Sequence, residues 1–281
     1  MLFRSYSKKD ARIQVHSNQV FVDIISNHNI AFRLISPDTK YCKVVSADDL
    51  LFPDCITRMV EVAETYPSAG FVGCYQISEN YVKWQGFPYP GSLLNGRDLC
   101  RRMLLSADSC IGFGAPTSLL YRADLVRITD TFFPNRSPHA DTSAIYASLK
   151  DCDFGFVHQV LCWERVHEGM RTTQSHEINE ALSSSLDDLI QYGRYYLSEQ
   201  EWRQALRKSL SEYNEFLAVS FIRFREKEFW DYHKCRLQEL GYPMNTSAII
   251  KAGWAKVRRE LLNPERALRK LRQGFASSMR R

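Results

Sequence analysis

The order of segments between residues 41 and 77 constrains this chain more than any other feature. A short run rich in β-branched residues, YCKVVS at 41–46, stops at two adjacent aspartates, Asp48 and Asp49. Pro53 follows where a first helical turn would accept it. Ile56, Met59, Val60 and Ala63 then recur at helical spacing until Tyr66-Pro67, and GFVGCYQI at 70–77 reads as a second strand. A strand at 11–16 (ARIQVH) and a helix around 26–36, ending at Ser36-Pro37, precede this unit. Such alternation predicts an α/β fold, a mostly parallel sheet covered by helices. It also delivers Asp48 and Asp49 to the carboxyl end of a buried strand, where such sheets bind ligands.

Two neighbouring carboxylates repel each other unless a cation or water lies between them. Hard oxygen donors of this kind suit Mg²⁺ or Mn²⁺ bound to a phosphorylated substrate. A metal-diphosphate site is one reading of the pair, and a cap on the helix beginning near Pro53 is the other.

Further along, the pattern loosens through Pro88, Pro90 and Gly91, and a helix around 96–105 leads to GFGAPTSLLYRADLV. This is a glycine-rich turn, of the sort that lines pockets, entering a strand. HADTSAIYASLKD (139–151) reads as a helix with Asp141 in its first turn, and GFVHQVLCWERVH (155–167) as a strand closing the α/β part. From about 175 the chain turns helical: Ser198 and Glu201 form a capping-box pair, and Trp202, Leu206, Leu210, Tyr213 and Leu217 share one face until Gly241 and Pro243. The expected division is an α/β domain at 1–173, a helical region at 174–243 and a basic amphipathic tail at 244–281.

Composition narrows the function classes. The chain has 281 residues, 44% of them hydrophobic, which permits a sizeable core. Nothing approaches the ~18 consecutive apolar residues of a membrane span, and MLFRSYSKKDAR lacks a signal-peptide apolar region, so the expected address is the cytoplasm. Eight cysteines include no CxxC pair and lie mostly in apolar stretches, as small hydrophobes rather than zinc ligands or nucleophiles. The net charge of +5 belongs to the end of the chain, where residues 251–281 hold ten Lys or Arg against Glu260 and Glu265. That excess reads either as a solvated helical face or as a peripheral membrane contact. Nucleic acid is not an expected partner, because the remainder is slightly acidic and carries no reading motif.

SADD, Pro53, a helix to Pro67, GFVG at 70–73, the GAPTSLLYR turn, the acidic helix start at Asp141 and Arg165-x-His167 together resemble family 2, GT-A-type glycosyltransferases over roughly residues 10–172. The resemblance implies a GT-A, Rossmann-like fold. It also implies an inverting, metal-dependent enzyme moving a sugar from a nucleotide-sugar donor to a saccharide or lipid-linked acceptor. Asp48 would bind the metal bridging the donor diphosphate, with Asp49 supporting the metal or the sugar. Ser46 stands where many members carry a first aspartate, so a hydroxyl would serve there. Asp141 matches the general base, with His139 orienting it, and Arg165 and His167 match a late motif reaching the metal or diphosphate. Asn29, in SNHNIAF, corresponds to an asparagine near the nucleotide. The residues by themselves also allow Asp141 as a first-turn acid favoured by the helix dipole, and Arg165 and His167 as a surface pair. Members open with a base-binding strand, helix and strand that do not appear here, so the sheet is expected to be incomplete at the N-terminus, with open edges. The alternative to an enzyme is a catalytically inactive remnant serving as an interaction module.

Overall fold

The computed structural model describes residues 2–106, 112–134, 139–166 and 178–262. At its centre AGFVGCYQIS forms β3 (Ala69–Ser78), a strand largely buried on both faces. Side chains alternate across a strand, so Phe71 and Tyr75 enter one core while Val72 and Cys74 enter another. β7 (Asp153–Glu164) lies parallel to β3 on one side, and β6 (Leu119–Arg122) lies antiparallel on the other. β1 (Tyr41–Cys42) extends the sheet beyond β6, and β2 (Leu50–Leu51) closes the far edge, giving the order β1-β6-β3-β7-β2. β4 (Tyr81–Lys83) and β5 (Leu93–Leu94) add to β3 and β7.

The α/β class expected from the sequence is the class observed. The pairing within it is mixed rather than mostly parallel, because β3 and β7 form the one parallel pair among the described strands. Parallel neighbours need a long crossover, which the segment between β3 and β7 supplies. β4 instead follows β3 through Glu79 and Asn80, with Glu79 at φ 53°, and so short a turn forces the chain back on itself.

Two expected strands also change. Residues 11–16 form none: Ile13 and Val15 stay exposed, and no described strand pairs with them to satisfy their backbone. Only Tyr41–Cys42 of the 41–46 run joins the sheet, because the following Lys43 turns inward to bond carbonyls of residues 117 and 119.

After α1 (Leu2–Ser7), α2 (Ile24–Arg33) starts at Asp23, whose carboxylate accepts from the Ile25 and Ser26 N–H groups. It lays Phe32 into the first core, beside α4 (Gly96–Leu105), α5 (Ala123–Arg127) and α6 (Ala140–Ser148). α3 (Cys55–Thr65) covers the opposite face with Cys55, Met59 and Ala63, each one turn from the last. Burying these apolar stripes on both faces of β3 and β7 fixes the sheet between its helices.

From Glu180 onward the described elements are helices: α7 (Glu180–Tyr196), α8 (Glu199–Ile222), α9 (Lys227–Glu239) and α10 (Thr246–Leu261). Their own core is built from Leu186, Leu189, Leu206, Tyr213, Leu217 and Phe229. The capping box forms with Ser198 and Glu201. The helical run expected to reach Gly241 breaks at residues 223–226, where Phe224 takes φ 49°. His233 bonds Tyr213 Oη through Nδ1 at 2.6 Å and the Ile178 carbonyl through Nε2 at 2.8 Å, and burial pushes its pKa down to about 4. α7 is fastened to the sheet domain by the Tyr196 hydroxyl, which donates to the Tyr146 carbonyl, and by Ser143 Oγ, which donates to Asp188 at 2.6 Å. No described helix is long and apolar enough to cross a membrane.

Candidate functional site

Strand register assembles the first cluster. Leu50 pairs with Trp163 and Leu51 with Cys162, so the antiparallel ladder carries the Asp48-Asp49 turn alongside Glu164 and Arg165. Asp49 Oδ1 accepts the Arg165 backbone N–H at 3.3 Å, and Oδ2 accepts the Thr117 hydroxyl at 2.5 Å. Thr117 Oγ1 in turn accepts the Ser46 N–H at 3.2 Å, and the two hydroxyls lie 3.4 Å apart. Thr117 sits on a 3₁₀ turn, Pro116–Ser118, reached through Gly114 at φ 107°. A Cβ on Gly114 would lie 2.5 Å from Ser118 Oγ, so a side chain there is opposed by both backbone and space.

Beneath this turn lies Lys43, which sequence reading passed over. Its ammonium donates to the Thr117 carbonyl at 2.6 Å and the Leu119 carbonyl at 3.1 Å, and burial lowers its pKa. It therefore pins the backbone that presents the Thr117 hydroxyl to Asp49. Asp54, not the aspartate pair, occupies the N-cap position of α3. Beside the turn, Glu164 pairs with Lys83 at 2.5 Å.

A divalent cation fits this donor set in a limited way. Asp48 and Asp49 are half-buried neighbouring carboxylates, and each oxygen of Asp49 accepts one hydrogen bond, leaving lone pairs for an ion. Among the described residues no group of three or more His, Cys, Asp or Glu could hold a metal unaided. A hard divalent cation held there would have to draw its remaining oxygen ligands from outside the described His, Cys, Asp and Glu residues.

A second cluster surrounds Asp141. It stands half-buried in the first turn of α6, with Oδ1 accepting the Thr142 N–H at 2.9 Å, where the helix dipole favours negative charge. His28 of α2 lies within its field; burial lowers the His28 pKa and the Asp141 charge partly opposes this. Asp188 of α7 also feels Asp141. It is 4% exposed, and burial pushes its carboxyl up to about 7, against the opposing pull of the Ser143 hydroxyl. Asp188 lines a cleft of about 590 Å³ between α4, α6, α7 and α8, together with His139, Thr142, Tyr146, Gln204 and Lys208.

The sequence-derived residues divide accordingly. Ser46 and Asp49 come together through Thr117, Arg165 joins them by its backbone N–H to Asp49, and Asp48 is next in the same turn, while Asp141 belongs to the second cluster. Asn29 is placed in the interior, 4% exposed. Its side chain accepts the Phe133 N–H at 2.9 Å and donates to the Phe133 carbonyl at 2.8 Å, tying α2 to the segment after α5. His167 lies outside the described residues. Sequence reading missed Thr117, Lys43 and Asp188. Thr117 carried a signal, since it sits in the glycine-rich turn already marked as pocket-lining, whereas nothing in the helical stretch after 175 set Asp188 apart from its neighbours.

Searches against family models and curated proteins gave no match. Solved structures do share the fold. A crystal structure of S. aureus TarS 1-349 superposes with TM-score 0.55 at 12% identity, covering 85% of this chain and 66% of that one. A crystal structure of S. aureus TarS gives TM-score 0.49 at 13% identity, covering 79% of this chain and 37% of that one. The chain therefore spans just under two thirds of the shorter TarS chain and little more than a third of the longer.

Proposed function

We propose that this chain is a glycosyltransferase: inverting, metal-dependent, working in the cytoplasm and moving a sugar from a nucleotide-sugar donor to a saccharide or lipid-linked acceptor. The observation that carries the reading is the convergence of Ser46, Asp49, Thr117 and the Arg165 N–H in one hydrogen-bonded cluster. The shared TarS glycosyltransferase-like fold supports it. In this reading Asp48 and Asp49 would hold Mg²⁺ or Mn²⁺, which supplies positive charge against the departing nucleoside diphosphate.

The remaining roles fall to the chain itself. Thr117 and the Arg165 N–H fix the Asp49 carboxylate in orientation, and Lys43 fixes Thr117, so that cluster is set before substrate arrives. Asp141 takes the proton of the acceptor hydroxyl as that oxygen forms its bond to the anomeric carbon. The bond from that carbon to the phosphate oxygen breaks, its electron pair leaves with the diphosphate, and configuration inverts. Burial disfavours the charged form of His28 beside Asp141.

The test is donor binding and hydrolysis by the purified chain, using a panel of nucleotide sugars with and without Mn²⁺, beside Asp48→Ala. Metal-dependent binding or turnover that Asp48→Ala abolishes is the expected result. A folded chain that binds no donor at all overturns the reading in favour of a non-catalytic module.

A further inference from the structure

α10 has two apolar faces, and only one of them is used. Its inner face packs on α8: Ile249 joins the helical core, Gly253 sits so close to Ala218 that a Cβ would approach to 3.2 Å, and Lys256 and Arg259 bond Glu215 at 2.8 Å. The second face carries Ile250, Trp254 and Val257 at i, i+4 and i+7, followed by Leu262. All four are exposed, Trp254 at 71%. Lys251 and Arg258 follow Ile250 and Val257 by one residue and so flank the stripe.

The patch continues past α10. Glu215 meets Lys256 and Arg259 while Ala218 meets Gly253, so α8 and α10 run antiparallel. Ile222, one turn beyond Ala218, is therefore level with Ile249 and Ile250. Phe221 and Ile222 are more than 70% exposed, and Phe224 on the left-handed turn that follows is 89% exposed, between Arg223 and Arg225. An exposed apolar patch of this size marks a surface that meets something.

Charge selects the occupant. A second copy would set the same basic flanks against each other. Residues 263–281 are equally unsuited, carrying six Lys or Arg against Glu265. Aromatic and aliphatic side chains between basic ones match a bilayer bearing negative charge, where the rings enter the headgroup region and the cations face phosphate. The apolar stripe runs along the α10 axis, so such contact lays the helix along the surface.

We propose that the outer face of α10, with the end of α8, is a docking surface for an anionic lipid bilayer. The surface stands apart from the Asp49 and Asp141 clusters, so it does not depend on the transferase reading.

Flotation of the full chain with phosphatidylcholine vesicles, with or without phosphatidylglycerol, tests this. The expected result is binding to the anionic vesicles alone, weakened by salt, with a blue shift in tryptophan fluorescence that Trp254→Phe largely removes. Lys251→Gln and Arg258→Gln each weaken binding about fivefold. Trp254→Ser combined with Phe224→Ser abolishes it while circular dichroism stays unchanged, since both side chains are exposed. The proposal is overturned if the folded chain ignores anionic vesicles, or if the double variant binds as well as wild type, in which case the basic end of the chain acts alone. It is equally overturned if the chain is a dimer that the double variant converts to monomer.

Discussion

Asp49 finds its partners 68 and 116 residues away, at Thr117 and Arg165, whereas Ser198 finds Glu201 three residues away. The sheet domain builds its polar cluster from segments that meet only after strands have paired. The helical region builds its order from neighbours along one chain segment and then buries a periodic stripe. A change in sheet register therefore reaches the Asp48-Asp49 turn directly, while the helices can lose one cap and keep their packing. The contrast also bears on charge. The Asp48-Asp49 turn is half open to solvent, but where α7 meets the sheet domain, Asp188 is buried against Ser143.

The largest effect should come from breaking the long-range assembly at its centre. Thr117→Val keeps shape but removes the hydroxyl that holds Asp49 and accepts from Ser46. It is expected to lower metal-dependent donor affinity or turnover by about 10–100-fold, the scale for groups that orient a ligand-bearing carboxylate. Isothermal titration with donor and Mn²⁺ checks this, and unchanged affinity would mean that the cluster is structural only.

Asp188→Asn sharpens the comparison at the junction of the two regions. A carboxyl raised to about 7 in the folded chain stabilises the fold fully only below its ordinary value, and that contribution is lost as pH rises through about 7. The amide variant, which stays uncharged, should therefore be more stable than wild type at pH 8, with the gap shrinking toward pH 5. Melting curves across that range decide it. His233 acts in the opposite direction. Held near 4, it favours the fold above its ordinary range, and that stability falls as pH drops from about 6.5 toward 4.

The smallest expected effect is local. Ser198→Ala removes the capping-box hydroxyl and should cost about 1 kcal/mol, read by chemical denaturation, with donor binding unchanged. A loss of donor binding in this variant would show that the two regions are coupled more tightly than their contacts suggest.

The sequence by itself determined what short-range periodicity and local chemistry can encode. The helical spacing of Met59, Val60 and Ala63 made α3, although Cys55 rather than Ile56 is the buried residue at its start, the doubly apolar run at 70–77 made β3, and Ser198 with Glu201 started α8. The nearness of Asp48 to Asp49 marked the turn worth watching. Tertiary structure decided everything that needed a distant partner. Residues 11–16 have strand-like alternation and yet no neighbour to pair with, while Leu50-Leu51, too short to show a period, became β2 because β7 offered an edge. The direction of each pairing, the closing of Thr117 onto Asp49, the placement of Asn29 against Phe133 and the burial of Asp188 have the same cause. Hydrogen-bond satisfaction and desolvation depend on what surrounds a residue in space, and a linear pattern carries that only for neighbours within a few positions.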